Sequence, residues 1–357
     1  MSPRVHSIAF ELTTRCNLRC AHCYNAERGD REQTKQGHVD RIVQRVERIL
    51  EVVELHHATL TGGEPLLFPR LFDVIERLEG SGVPCQLISN GVQLDKDLAA
   101  RLVEAGVRGI QLSLHGPDAP SHEDYTGVAG SFARTLLGAE AAMQVGLPLT
   151  GCIVVTRRNA HLVGETLSLW KSLGVKRIAL SRFSPAGLAG RQVARLLPSL
   201  PEVISAFDQA LAFANDGMQL YCTMPIPSCA LETKSYAPIR FGCCAVGTSK
   251  QELALGPAGE LRNCTLHQHA IGGVRDILAP EVDVAALFEH PDVTEYRKGT
   301  PSFCEGCLHA GSCGGGCGAA SMSVLANDRS LPDPFLWQHV DDDFEAQLQR
   351  ERADEER

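Results

Sequence analysis

Over the first two-thirds of the chain, short apolar runs of β type alternate with stretches of helical periodicity. The runs are VHSIAFEL, HHATLT, VPCQLIS, RGIQLSL, LPLTGCIVV and KRIALS. Helical patterns lie between them at about 37–53, 69–80, 94–105, 131–145 and 161–173, and a sixth at about 201–216 follows the last run. Strand alternating with helix implies parallel strands joined by right-handed crossovers. Six units are too many for a small open sheet and too few for an eight-unit barrel. The expected fold class is therefore α/β, a partial (β/α)6 barrel. From about Met218 helical periodicity fades, and cysteine, proline and glycine become frequent. The expected organisation is a core over 1–217, a cysteine-rich C-terminal domain over 218–340 and a charged tail over 341–357.

Each expected strand ends in something unusual. TTRCNLRCAHCYN follows the first, TGGEP the second, SNG the third and SLHGPD the fourth; the fifth runs into TRRN and the sixth into SRFSPAG. Barrel active sites gather at that face, so the polar and glycine-rich chemistry converges on one mouth.

Charge and composition narrow the class. The net charge is −9, and the tail Asp341–Arg357, with eight acids and three arginines, carries −5 of it. The body is near neutral and has no basic stripe, so nucleic acid is not an expected partner; the tail reads as a solvated helix or as disordered. No apolar run is long enough to span a membrane, and MSPRVHSIAFEL lacks the regions of a signal peptide, so the expected setting is the cytoplasm. Fourteen cysteines without an export signal favour metal ligation over disulfides. Cys85 and Cys152 sit within apolar strands and read as core.

Cys16, Cys20 and Cys23 are spaced Cys-x3-Cys-x2-Cys on the loop after the first strand, with no obvious fourth ligand. Three thiolates suit a four-iron cluster with one iron open to a non-protein ligand. Zinc or a chance grouping is the alternative. CNLRCAHC followed by TGGEP after the next strand resembles the radical S-adenosylmethionine (SAM) superfamily. That resemblance implies a [4Fe–4S] cluster on Cys16, Cys20 and Cys23 whose open iron chelates SAM. A 5′-deoxyadenosyl radical then abstracts a substrate hydrogen. It also implies roles for matching residues. His22 takes the place just before the third cysteine, near the adenine, and Tyr24 follows it. Gly62, Gly63, Glu64 and Pro65 would line the methionine amino group. Ser113 is a candidate ribose contact, and Asn90 and Arg182 are further cofactor candidates. His115 and Tyr125 are candidate catalytic residues; packing is the alternative for them and for His122 and Asp124. Arg157 and Arg158 are either solvated or bind a carboxylate.

The chain continues Cys244-x14-Gly259-x4-Cys264, then Cys304-x2-Cys307-x5-Cys313-x3-Cys317. This resembles the SPASM extension of radical SAM enzymes, which binds auxiliary iron–sulfur clusters. The resemblance implies that Cys244, Cys264 and Cys317 serve a first auxiliary cluster and Cys304, Cys307 and Cys313 a second. For the fourth ligand of the first, Cys229 is favoured over Cys243 and Cys222. The family pattern places a seventh cysteine after Cys317. Here Leu336 stands there, leaving Asp333, His309, His339, an open iron, or a smaller or absent second cluster as alternatives.

The leading expectation is modification of a ribosomally made peptide by a crosslink, thioether or epimerisation. The electron donor would be of the flavodoxin or ferredoxin kind. No winged-helix module precedes the first strand, so a separate leader-binding partner or direct binding at the mouth is expected. The alternatives are a small-molecule dehydrogenase, a tetrapyrrole or quinone-cofactor enzyme, and a non-enzymatic iron–sulfur carrier; TGGEP argues against the carrier.

Overall fold

The computed structural model describes residues 2–25, 36–295, 302–324 and 331–355. Six strands follow in chain order: β1 Ser7–Glu11, β2 Ala58–Thr61, β3 Cys85–Ser89, β4 Ile110–Ser113, β5 Leu149–Val155 and β6 Arg177–Arg182. Each pairs in parallel with its predecessor. The helices are α1 Gln36–Val52, α2 Leu71–Gly80, α3 Lys96–Glu104, α4 Ala119–Thr126, α5 Ser131–Gln144, α6 Val163–Ser172 and α7 Leu200–Asn215. This is the partial barrel that the alternation predicts.

Local chemistry accounts for the elements. Every residue of β1 and β2 is buried, as parallel strands covered on both faces require. In α1, Val39, Ile42, Val43, Val46 and Ile49 recur at helical spacing and all enter the core. Asp95 caps α3 by accepting from the Leu98 N–H at 2.8 Å. Ser199 and Glu202 form a capping box at α7. Cys85 and Cys152 are buried in the sheet.

Four further strands were not legible in the pattern. β7 Gln219–Cys222 pairs with β6, and β8 Arg240–Phe241 pairs with β7. β9 Glu252–Leu255 lies parallel to β1, and β10 Leu261–Arg262 is antiparallel to β9. The sheet therefore runs β8-β7-β6-β5-β4-β3-β2-β1-β9-β10, and its hydrogen bonding crosses position 217 at both edges. Strands of two to four residues are too short to show a period.

Two buried ion pairs fasten the C-terminal region to the barrel. At the end of β1, Glu11 pairs with Arg262 of β10. At the end of β6, Arg182 pairs with Asp333, and both side chains are 0% exposed. Arg182 also donates to the carbonyls of Phe183 and Pro225, each at 3.1 Å, and its guanidinium lies 4.7 Å from the Phe335 ring. The tail is a largely solvated helix, as its composition suggests, anchored at a few points. Its helix Asp342–Glu355 buries Leu348, and Arg352 donates to Ala194 O and Leu197 O at 3.0 and 3.1 Å. Glu356 and Arg357 lie outside the described residues.

Asp333→Asn leaves Arg182 buried without a counter-charge, and losing one partner of such a pair costs about 3–5 kcal/mol. Denaturant unfolding followed by circular dichroism should show that loss. Adding Arg182→Met should restore part of it; a double variant less stable than Asp333→Asn would contradict the pairing.

Candidate functional site

The loop after β1 carries Cys16, Cys20 and Cys23, all half-buried and none in a disulfide. It is gripped on both sides by backbone. On one side the Gly63 N–H donates to Thr13 O, and the Glu64 N–H donates to Arg15 O at 2.8 Å. A Cβ on Gly63 would sit 2.1 Å from Arg15 O; one on Gly62, at φ +124, would sit 2.5 Å from Thr13 O. The two glycines thus let two strand ends meet, with the cysteine loop itself as the close neighbour. On the other side the Ala189 N–H donates to Cys23 O and the Leu188 N–H to Asn25 O, both at 2.9 Å. Gly187, at φ +58, permits this because a Cβ there would lie 2.0 Å from Tyr24 O. From α4, Thr126 O and Tyr125 O accept from the Arg19 and Ala21 amides at 2.7 and 2.9 Å.

Glu64 does not present its carboxylate to the mouth. It is buried and accepts from Ser89 Oγ at 2.7 Å, the Asn90 N–H at 2.8 Å and the Leu66 N–H at 3.1 Å. Burial pushes its pKa up to about 6 against those hydrogen bonds. Pro65 opens the turn Pro65–Leu67 that follows. Asn90 lies against the cysteine loop, where its Nδ2 donates to Asn17 Oδ1 at 2.8 Å and lies 3.8 Å from Cys16 Sγ. Tyr24 Oη meets Thr61 Oγ1 at 3.2 Å, and Asn25 Nδ2 donates to Gly62 O at 2.9 Å. The thiol of Cys152 takes the Ser113 side chain as its partner.

The candidate catalytic rings pack behind His22. His22 and His115 centroids are 4.3 Å apart, and each lies 5.9 Å from the Tyr125 ring. His115 Nδ1 accepts from the Val154 N–H at 3.3 Å, and Tyr125 Oη bonds Thr156 Oγ1. Burial holds His115 well below the usual imidazole range and lowers His122 to about 4, so both rings are neutral. His115 Nδ1, His122 Nδ1 and Tyr125 Oη are committed to the barrel wall, while His122 Nε2 is buried without a hydrogen-bond partner; the burial of all three rings fits packing behind the adenine candidate better than contact with substrate. Asp124 pairs with Arg158 and Arg195, and Arg157 lies 3.9 Å from Glu202.

Both Nη atoms of Arg182, a cofactor candidate, are taken by Asp333, Phe183 and Pro225, and its Nε is buried without a hydrogen-bond partner. The C-terminal thiols fall into two neighbourhoods. Cys317 lies beside Cys264 and Cys244; Cys304 lies beside Cys313, Cys307 and Cys229. Cys229 is therefore not with the first set, where the spacing led us to expect it. Cys222 is buried and donates to Met224 O at 3.2 Å, while Cys243 is exposed. Asp333 is occupied by Arg182, the Cys317 N–H and the Phe335 N–H; His339 Nε2 accepts from the Leu200 N–H, and His309 is exposed. Gly187 and Asn17 escaped sequence reading, though the glycine of SPAG at a strand end was the available signal.

The donors fit iron–sulfur chemistry. Burial pushes Cys16 and Cys264 up to about 11 and Cys317 up to about 12, as it does the core thiols Cys85 and Cys152, so only a bound cation would hold them as thiolates.

Residues 10–181 match the radical SAM superfamily. Those residues form a radical SAM domain, so the chain is an enzyme of the radical SAM type, and that domain implies SAM and a [4Fe–4S] cluster as cofactors. The chain is 27% identical over 340 residues to the PqqA peptide cyclase of Rhodopseudomonas palustris, covering 92% of this chain and 85% of that protein. It is 31% identical over 192 residues to the AdoMet-dependent heme synthase of Methanosarcina barkeri, covering 52% of each. The structure of anSMEcpe with bound AdoMet and Cp18Cys peptide shares the fold at a TM-score of 0.69 and 17% identity, covering 98% of this chain and 99% of that one. The architecture is a radical SAM partial barrel with a C-terminal SPASM-like region.

Gly63→Ala drives a methyl into Arg15 O and should displace the cysteine loop. Iron bound at that loop should fall severalfold, read by the visible charge-transfer band. Gly80→Ala, where a Cβ meets nothing within 4 Å, should leave it unchanged. Asn90→Leu removes the donor beside Cys16 and should lower the reduction potential of that cluster at unchanged iron content, because donors to the sulfurs stabilise the reduced state. An unchanged potential in a redox titration would rule the contact unimportant.

Proposed function

We propose that this radical SAM enzyme modifies a ribosomally made peptide, by a crosslink, thioether or epimerisation, and that its C-terminal thiols hold two auxiliary iron–sulfur clusters. One observation carries the reading: likeness to the peptide cyclase extends over 92% of the chain, through the barrel and the C-terminal cysteines alike. Likeness to the heme synthase covers only 52%. That second likeness is the specific support for the alternative, a tetrapyrrole or other small-molecule substrate.

When bound at the β1 loop, SAM and the cluster supply a 5′-deoxyadenosyl radical that takes a hydrogen from substrate. The chain's own part is to hold and shield. Cys16, Cys20 and Cys23 are the ligands. The backbone of Gly62–Glu64 on one side and Gly187–Ala189 on the other keeps their loop rigid, so the reacting atoms keep their alignment. Asn90 donates toward Cys16, and His22 with the neutral rings of His115 and His122 walls off water. Cys244, Cys264 and Cys317, and apart from them Cys304, Cys307 and Cys313, would hold the auxiliary clusters, which would supply an electron acceptor or a substrate anchor; the reducing electron would come from a flavodoxin- or ferredoxin-type protein. Among the described residues no helix is long and apolar enough to cross a membrane.

Anaerobically reconstituted protein with dithionite should convert SAM to 5′-deoxyadenosine, and Cys16→Ala should abolish that. With a short peptide encoded beside its gene, wild type should yield a product seen by mass spectrometry or, for epimerisation, by deuterium uptake. Cys307→Ala should keep SAM cleavage but lose product. Turnover of a porphyrin precursor and of no peptide would instead establish the alternative.

A further inference from the structure

The second C-terminal set has a member from far outside the motif. Cys229 sits on the turn after β7, while Cys304, Cys307 and Cys313 sit on the loop that ends at Cys317. Backbone contacts bring the two segments together. Arg182 holds Pro225 O at 3.1 Å, and the chain then turns, with the Ala230 and Leu231 amides donating to Pro227 O at 2.9 and 3.2 Å. The opposing loop curls through Gly314, Gly315 and Gly316, all at positive φ. A Cβ on Gly316 would meet Pro227 Cγ at 3.2 Å and Asp333 Cβ at 2.7 Å, so the two turns are stacked directly. On that platform Cys229 lies within electrostatic reach of Cys307 and Cys313, and Cys304 within reach of Cys229. Cys317, next along the loop, points to the other neighbourhood with Cys244 and Cys264.

We propose that Cys229 is the fourth ligand of the cluster held by Cys304, Cys307 and Cys313, filling the corner that the resemblance to the SPASM pattern assigns to position 336. Leu336 is free to be apolar because the corner is supplied from elsewhere: it is buried in the short helix Pro334–Trp337 beside Phe335. Four thiolates close this cluster to substrate, so of the two auxiliary roles it takes electron transfer. Exposure of Cys229 and Cys307 places it near solvent, where an external electron partner can reach it. The inference rests on the auxiliary-cluster reading above.

In a Cys16→Ala/Cys20→Ala/Cys23→Ala background, iron bound after anaerobic reconstitution reports the C-terminal region alone. That protein should bind about eight irons per chain, as two four-iron clusters. Cys229→Ala and Cys304→Ala should each alter or remove the same signal in the reduced protein's paramagnetic resonance spectrum and lower the iron, by about one where three thiolates keep a cluster and by about four where it is lost. Cys85→Ala, a core thiol of β3, should change neither. Cys229→Asp, which keeps an anionic ligand, should restore the iron and shift the signal, which separates ligand loss from misfolding. If Cys229→Ala leaves iron and signal intact while Cys304→Ala loses both, Cys229 is not a ligand although the auxiliary clusters exist. Loss of the signal that Cys244→Ala removes would place Cys229 in the other cluster and overturn the assignment. No iron in the triple background would instead overturn the auxiliary-cluster reading itself.

Discussion

The buried pair of Arg182 and Asp333 is the constraint on which the C-terminal half depends. Neither charge touches solvent, so each is tolerable only with the other in place. Asp333 also accepts from the backbone of Cys317 and Phe335. One carboxylate thereby orients the last cysteine of the motif, starts the Pro334–Trp337 helix and ties both to the end of β6. Arg182 in turn holds Pro225 and so starts the turn that bears Cys229. Glu11 and Arg262 repeat the device at the end of β1. The cysteine-rich region is therefore docked at the two strand ends that flank the barrel mouth.

The cysteine loop itself is held by a different force. Most of its grip is backbone, since Thr13, Arg15, Cys23 and Asn25 meet the segments after β2 and β6 through peptide groups, with side-chain bonds from Tyr24, Asn25 and Asn90 added to it. Three glycines make the approach possible, because any Cβ at Gly62, Gly63 or Gly187 would fall inside a neighbouring carbonyl. A loop braced by backbone leaves its side chains free for ligands. Glu64 serves this arrangement from within, spending its carboxylate on Ser89 and Asn90 and thus joining the ends of β2 and β3.

Much of this was legible from the chain alone. The six long strands and their helices follow from periodicity, because amphipathic order is a local property. The grouping of thiols after β1 with a glycine pair after β2 was equally legible, since both lie on short loops at one edge of a parallel sheet. Less was legible where elements are short or partners distant. β7–β10 are too brief to carry a period. Arg182, at a strand end, looked like a ligand contact until its partner appeared from far along the chain. The acidic tail is the solvated helix its charges suggest, but its anchoring leucine, Leu348, is not singled out by the sequence among those charges.

Sequence by itself determined the order of the elements, the iron–sulfur character of the first cysteine loop and the cysteine-rich nature of the C-terminal region. Tertiary structure alone decided which thiols are neighbours. Spacing within one loop limits where its cysteines point, but a cluster corner is filled by whichever sulfur arrives in space. Cys229 and Cys304 meet because a buried ion pair and a run of glycines stack two distant turns, and no local pattern encodes that meeting.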